Sequence, residues 1–127
     1  MKRLLLDTDA FIWWDANDPA LGGHARASIQ DASDVYVSAA SAWEIAIKAA
    51  LGRLRTTRRP AQAVAEGGFS ELPVSFEHAE AVRELPMHHT DPFDRLILAV
   101  ARVEGLTIVT SDRRLAPYEL PLIDARE

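Results

Sequence analysis

Short apolar runs alternate along this chain with stretches of helical spacing. Leu4-Leu5-Leu6 is continuous and reads as a strand buried on both faces, as in a parallel sheet. Val35-Tyr36-Val37 and Leu106-Thr107-Ile108-Val109 read as two further strands. Phe69 to Val74 holds another, which Pro73 keeps short or at an edge, and Leu120-Pro121-Leu122-Ile123 is a last edge strand. Between them the period changes. Asp9 caps a short helix, Ala10 to Asp15, rich in Phe11, Ile12, Trp13 and Trp14. Asn17-Asp18-Pro19-Ala20 starts a second, with Leu21, Ala25, Ile29 and Ala32 at helical spacing, although Gly22-Gly23 weakens it. Ala42 to Leu51 is the strongest helix of the first half, with Trp43, Ile47, Ala50 and Leu51 on one face. A weaker helix covers Ala61 to Glu66, and another runs from Phe76 to Leu85, where Pro86 ends it. Asp91 as N-cap, Pro92 at the first position and Gly105 at the end mark the clearest helix of all. This alternation predicts an α/β fold: a mainly parallel central sheet of four to five strands, flanked by helices.

At 127 residues the chain is expected to form one domain, residues 1–127, with enough apolar content (48%) for a sizeable core. It has no Cys, so it has neither a disulfide framework nor a thiolate metal site. Met1-Lys2-Arg3 and three leucines are too short for a signal peptide, and no run approaches the ~20 apolar residues of a membrane span. A cytoplasmic protein is the expectation. The net charge of −5 argues against a wholly basic nucleic-acid binder. It does not exclude a nucleic-acid enzyme, because a carboxylate cluster that binds divalent metal accounts for much of such a deficit.

In open α/β sheets ligands bind beyond the carboxyl ends of the strands. Asp7 follows the first strand, and Asp112 follows the Leu106–Val109 strand through Thr110-Ser111. Glu44 and Asp94 lie on helices. Clustered carboxylates repel one another unless a cation joins them, and Mg²⁺ and Mn²⁺ prefer oxygen ligands. Such an ion activates water and neutralises charge on a phosphodiester. Each acid also has a plainer reading: Asp7 as a strand end, Glu44 as an exposed partner of Lys48, Asp91 and Asp94 as caps, Asp112 as the start of a turn.

Longer stretches are more specific than the separate acids. They are Leu4-Leu5-Leu6-Asp7-Thr8, Val37 to Lys48 with Trp43-Glu44-Ile45 at its centre, Gly52-Arg53-Leu54, His89 to Ala99 with Asp91-Pro92-Phe93-Asp94-Arg95-Leu96, and Val109 to Arg113. In these, and in their order along nearly the whole chain, the sequence resembles the PIN-domain ribonucleases, in particular VapC toxins of bacterial toxin–antitoxin pairs. The resemblance implies a PIN-like sheet flanked by helices and Mg²⁺- or Mn²⁺-dependent endonucleolytic cleavage of RNA. It implies that Asp7, Glu44, Asp94 and Asp112 form the acidic quartet, with Asp7 and Asp94 as principal metal ligands. Glu44 would hold the metal-bound water or a second ion. Thr8 and Ser111 match small hydroxyl positions beside the metal, and Asp91 is a supporting residue. A small VapB-like antitoxin that blocks the pocket, and a homodimer, are implied as well.

RNA needs cations to meet it. Arg53, Arg55, Arg58 and Arg59 crowd one loop, while Arg95, Arg113 and Arg114 are nearer the acids. Arg53, Arg55, Arg95 and Arg113 are the candidate RNA contacts, against the alternative of a solvated turn. His88 and His89 precede the clearest helix and read as ordinary loop residues that could line the cleft. Trp13 and Trp14 read as core or interface. Three other functions compete. Asp7-Thr8-Asp9 resembles the Asp-x-Asp of aspartyl-phosphate enzymes, but Phe11 stands where those have Thr and no Lys follows Arg59. A non-catalytic binding module would retain the fold without cutting. DNA in place of RNA would use the same phosphodiester chemistry, since the 2′-hydroxyl is what separates them.

Overall fold

The computed structural model describes residues 2–55 and 58–127; Met1, Thr56 and Thr57 lie outside it. Leu4, Leu5 and Leu6 are all fully buried, against different partners. In β1 (Arg3–Leu6) the pleat turns Leu4 and Leu6 toward Phe11, Ala25 and Ile29, and Leu5 toward Ile97, Leu98 and Ile108. A strand covered on both faces belongs inside a sheet, and β1 is the central strand. It is flanked by β2 (Asp34–Ser38) and β4 (Thr107–Thr110), with β3 (Ser70–Leu72) and β5 (Leu122–Asp124) at the edges. All neighbours are parallel, and Leu5 lies opposite both Tyr36 and Ile108. The expected sheet is therefore present with five strands, and Pro73 follows the short edge strand β3.

Helices α1 (Thr8–Asp15), α2 (Gly23–Asp31) and α4 (Pro60–Glu66) cover the Leu4/Leu6 face. Helices α5 (Phe76–Ala81) and α6 (Pro92–Glu104) cover the other. Between them α3 (Ala39–Ala50) gives Ile45 to one core and Ala40 to the other. Short 3-10 turns continue α5 over Val82–Glu84 and follow β4 over Arg113–Tyr118. No helix among the described residues is long and apolar enough to cross a membrane.

Four local expectations are corrected. Asp7, not Asp9, caps α1: its carboxylate accepts from the Ala10 amide at 2.8 Å, so the helix starts at Thr8 and Asp9 is an exposed first-turn residue. The second helix starts at Gly23, because Asp18 instead accepts from the Ala20 amide and Asn17 takes a left-handed φ of 50°. The buried face of α3 carries Ala40, Ser41, Glu44 and Ile45, while Trp43 and Leu51 are 60% and 61% exposed. Its rotation is set by polar contacts of Ser41 and Glu44, described below. The helix expected to run from Phe76 to Leu85 tightens into the 3-10 turn after Ala81, and its buried residue is the polar His78 while Ala79 is exposed. His78 closes a capping box with Ser75 and lies 2.7 Å from Glu104 through its other nitrogen.

Candidate active site

Because every strand runs the same way, all carboxyl ends share one edge of the sheet. Asp7 follows β1, and Asp112 follows β4, its neighbour. Strand β2 ends at Ser38, whose hydroxyl caps α3 and so starts the helix that carries Glu44. Helix α6 starts at the same edge. Its cap, Asp91, accepts from the amides of Phe93 and Asp94 at 2.9 and 3.1 Å, which fixes Asp94 in the first turn.

Asp7 is 6% exposed. Its carboxylate takes the Ala10 amide and the hydroxyl of Thr110, a residue that also accepts from the Asp112 amide at 3.0 Å. These contacts do not offset burial, which pushes the Asp7 carboxyl up to about 7; Asp9 and Asp94 nearby push the same way. Burial also raises Asp94, against a hydrogen bond from His89 Nε2 at 2.8 Å. Asp112 is held below its usual range, chiefly by the fork of Arg114, whose Nε and Nη2 lie 3.0 and 2.9 Å from its two oxygens. His89 Nε2 reaches Asp112 too, at 3.3 Å. Glu44 is buried and held at both oxygens: Thr8 Oγ1 donates to Oε1 at 2.6 Å, and Lys48 Nζ lies 2.7 Å from Oε2.

Whether a divalent cation fits can be judged from Asp7 and Asp94. Both are carboxyls whose negative charge burial disfavours, and Asp94 pushes Asp7 further up. A hard cation would remove that penalty. The donors present are oxygens, with a single imidazole nitrogen close by. They fit Mg²⁺ or Mn²⁺ better than a softer metal.

A model of the PIN domain matches residues 4–119 of the chain. This chain belongs to the PIN-domain family. Among its relatives, Ribonuclease VapC22 of Mycobacterium tuberculosis is 32% identical over 128 residues, covering 95% of each chain. Solved structures share the PIN fold at lower identity. VapBC2 from Rickettsia felis, bound to a DNA fragment from their promoter, superposes with a TM-score of 0.70 at 14% identity, covering 95% of this chain and 97% of that one. FitAcB from Neisseria gonorrhoeae gives 0.67 at 19% identity, covering 96% and 97%.

The PIN fold thus brings Asp7, Asp94 and Asp112 to one strand-end edge, with Glu44 joined through Thr8 of the same α1 turn. Asp91 supports α6, and Ser111 is half-buried between Thr110 and Asp112. Arg53, Arg55 and Arg113 are exposed. Arg95 is a correction. Its guanidinium is buried and donates to the carbonyls of Val82, Leu85, Pro86 and His89 and to the Tyr118 hydroxyl, so it holds the loop before α6 and offers no open donor face to RNA. Sequence reasoning gave three participants in this PIN domain no role in the site. Thr110 was read only as a strand end, and Arg114 only as one of the arginines near the acids. His89 gave only its place before the Asp91 cap as a signal, and it is the residue that spans two acids.

Proposed function

We propose that this PIN domain is a metal-dependent endoribonuclease, acting as the toxin of a toxin–antitoxin pair and inhibited by a small VapB-like antitoxin. The supporting observation is the convergence of Asp7, Asp94 and Asp112 at adjacent strand ends, with Asp7 and Asp94 disfavoured as free anions. The 32% identity to a protein named a ribonuclease supports the same reading.

In this reading Asp7 and Asp94 hold Mg²⁺ or Mn²⁺, and Asp112 completes the pocket. Such a cation lowers the pKa of water and neutralises charge on the scissile phosphodiester. The chain's own contribution is placement. The caps Asp7, which accepts from the Ala10 amide, and Asp91 fix the acids on two helix N-termini, whose positive ends also favour a phosphate. Glu44 orients the attacking water or a second ion, itself positioned by Thr8 and Lys48. Arg53, Arg55 and Arg113 meet the RNA backbone. The antitoxin takes a cleft with an apolar floor of Phe11, Ile12, Ile45 and Leu54 and a charged rim of Arg55, Arg58 and Asp15, the last two paired at 3.3 Å. A homodimer belongs to the same proposal. Of the run Phe11 to Trp14, Phe11 is buried within the protomer, while Ile12, Trp13 and Trp14 pack against the same core and keep part of their surface exposed. Trp43, exposed and with the half-buried Phe93 edge-on at 5.2 Å, is an aromatic surface available for a dimer interface.

The deciding experiment is incubation of purified, antitoxin-free protein with total RNA in Mg²⁺, Mn²⁺ or EDTA, beside Asp7→Asn. Discrete products that require metal and vanish in the variant are expected. A folded protein that neither cuts RNA nor binds Mn²⁺ refutes the mechanism and leaves a binding module.

A further inference from the structure

The His89 ring is buried, 5% exposed, and it is held on every side. Its backbone amide donates to the Tyr118 hydroxyl at 2.8 Å, and its carbonyl accepts from Arg95 Nη1 at 3.2 Å. Its Nδ1 accepts from the Thr90 amide at 3.1 Å. An imidazole nitrogen that accepts carries no proton, so in the neutral ring the proton is on Nε2. That nitrogen points between Asp94 and Asp112, 2.8 and 3.3 Å from one oxygen of each.

Seen only by distance, His89, Asp94 and Asp112 could be three ligands of one cation, since a ligand atom of each lies within 4.8 Å of the others. The hydrogen bond from Thr90 argues otherwise. Ligation through Nε2 needs its lone pair, which would shift the proton to Nδ1 and set two N–H groups against each other. An N–H aimed at two carboxylates does a different task. It occupies one oxygen of each acid and counters their repulsion in the absence of metal. Donors behind ligating carboxylates fix their direction and are worth roughly 10–100-fold in metal affinity.

We propose that His89 is a positioning residue: its Nε2–H spans Asp94 and Asp112 and sets their carboxylates for the cation, without itself binding it. This rests on the metal-dependent reading above. Asp112 shows why the device has work to do. Its Oδ1 takes the Arg114 amide at 3.0 Å and both oxygens take the fork of the exposed Arg114 side chain, all from its own turn, so His89 is the donor that ties Asp112 to the Asp94 side of the pocket. Arg95 and Tyr118 then have a role, since they hold the His89 backbone in place.

The test is Mn²⁺ binding to the full chain, by calorimetry and by the electron paramagnetic resonance of free Mn²⁺. The wild type is compared with His89→Leu, His89→Gln and Asp7→Asn. His89→Leu is expected to bind about tenfold or more weakly, and His89→Gln, whose amide keeps a donor, within about threefold of wild type. Equal or tighter binding by a folded His89→Leu overturns the proposal. If the wild type itself binds no Mn²⁺, the metal-dependent reading falls and the proposal with it; loss in Asp7→Asn but not in His89→Leu sinks the proposal alone. A second measurement needs no variant. The ¹⁵N shifts of the His89 ring in wild-type protein, before and after Mg²⁺, are expected to retain the Nε2–H form. Conversion to the Nδ1–H form on adding Mg²⁺ would make His89 a ligand and refute the proposal.

Discussion

The Thr8 hydroxyl donates to Glu44 Oε1 at 2.6 Å, across a gap of 36 residues in sequence. This bond ties the first turn of α1 to the middle of α3, and Ser41 Oγ, 3.0 Å from the same hydroxyl, extends it. Both helices follow strand ends, so the bond also sets the distance between the Asp7 and Glu44 sides of the pocket. Thr8→Val retains the shape and removes the donor. It is expected to lower the stability of the metal-free protein by about 1–3 kcal/mol, the cost of leaving buried polar groups unpaired. Thr8→Ser retains the hydroxyl and is expected to lose less than about 1 kcal/mol. Urea denaturation of the two variants checks the difference.

The raised Asp7 carboxyl makes stability depend on pH in a stated direction. Its folded value is about 7, against an ordinary value of 3.8. The folded state therefore holds a proton that the unfolded chain releases, and stability falls as pH rises from about 4 to about 7, then levels off. At about 1.4 kcal/mol per pKa unit the full loss is a few kcal/mol. Metal-free protein is expected to melt at a higher temperature at pH 5.5 than at pH 8. In Asp7→Asn that difference shrinks. A metal-free wild type and variant with the same pH profile would show that Asp7 is not the group responsible.

Under the proposed function, cation binding at Asp7 would displace that proton. The apparent Mn²⁺ affinity of the wild type is expected to rise between pH 6 and pH 8. Calorimetry in two buffers of different ionisation enthalpy would report the released proton directly. No proton release at pH 6.5 would contradict ligation by Asp7.

Arg95 and the Arg53–Arg55 pair separate architecture from RNA contact. Arg95→Met leaves the carbonyls of Val82, Leu85, Pro86 and His89 without their donor and is expected to cost about 2–4 kcal/mol. Arg53→Glu with Arg55→Glu, on exposed positions, is expected to leave stability within about 0.5 kcal/mol. It should weaken RNA binding and flatten its dependence on salt, as lost phosphate contacts do. Filter binding at several salt concentrations reads the second effect, and an unchanged salt slope would remove these two residues from the RNA surface.

Gly22 and Gly23 look alike in sequence and differ in what surrounds them. A Cβ on Gly22 would lie 2.5 Å from the Arg126 carbonyl oxygen, where the backbone of 125–127 crosses and accepts from the Gly22 and His24 amides. A Cβ on Gly23 meets open space. Gly22→Ala is expected to destabilise by more than about 2 kcal/mol, and Gly23→Ala to stabilise by about 0.4–1 kcal/mol through the unfolded chain. Thermal melts of the two variants suffice, and similar melting temperatures would show that the crossing does not require Gly22.

How much of this was readable beforehand follows from the range of each signal. Strand β1 and helix α6 were legible because their signals are local: an apolar run, and a cap–Pro–Gly sequence whose Gly105 takes a φ of 67°. The choice between Asp7 and Asp9 as cap was not legible, since either spacing suits an N-cap and only the end of β1 decides it. The rotation of α3 was hidden because apolar periodicity favours Trp43, whereas the helix buries Glu44 for the sake of Thr8 and Lys48. The four acids were visible as residues at strand ends and on helices. Their linkage through His89 was not, because it depends on how a loop folds against Tyr118, 29 residues away.

The order β3-β2-β1-β4-β5 also has a consequence for synthesis. A growing chain has Asp7 and Glu44 early, but β1 gains its second neighbour only when residues 107–110 leave the ribosome, and Asp112 follows at once. Until then one flank of the central strand is open and the acids have no common pocket. A chain cut before β4 therefore lacks both the second neighbour of β1 and Asp112, so it cannot assemble the edge at which Asp7, Asp94 and Asp112 meet.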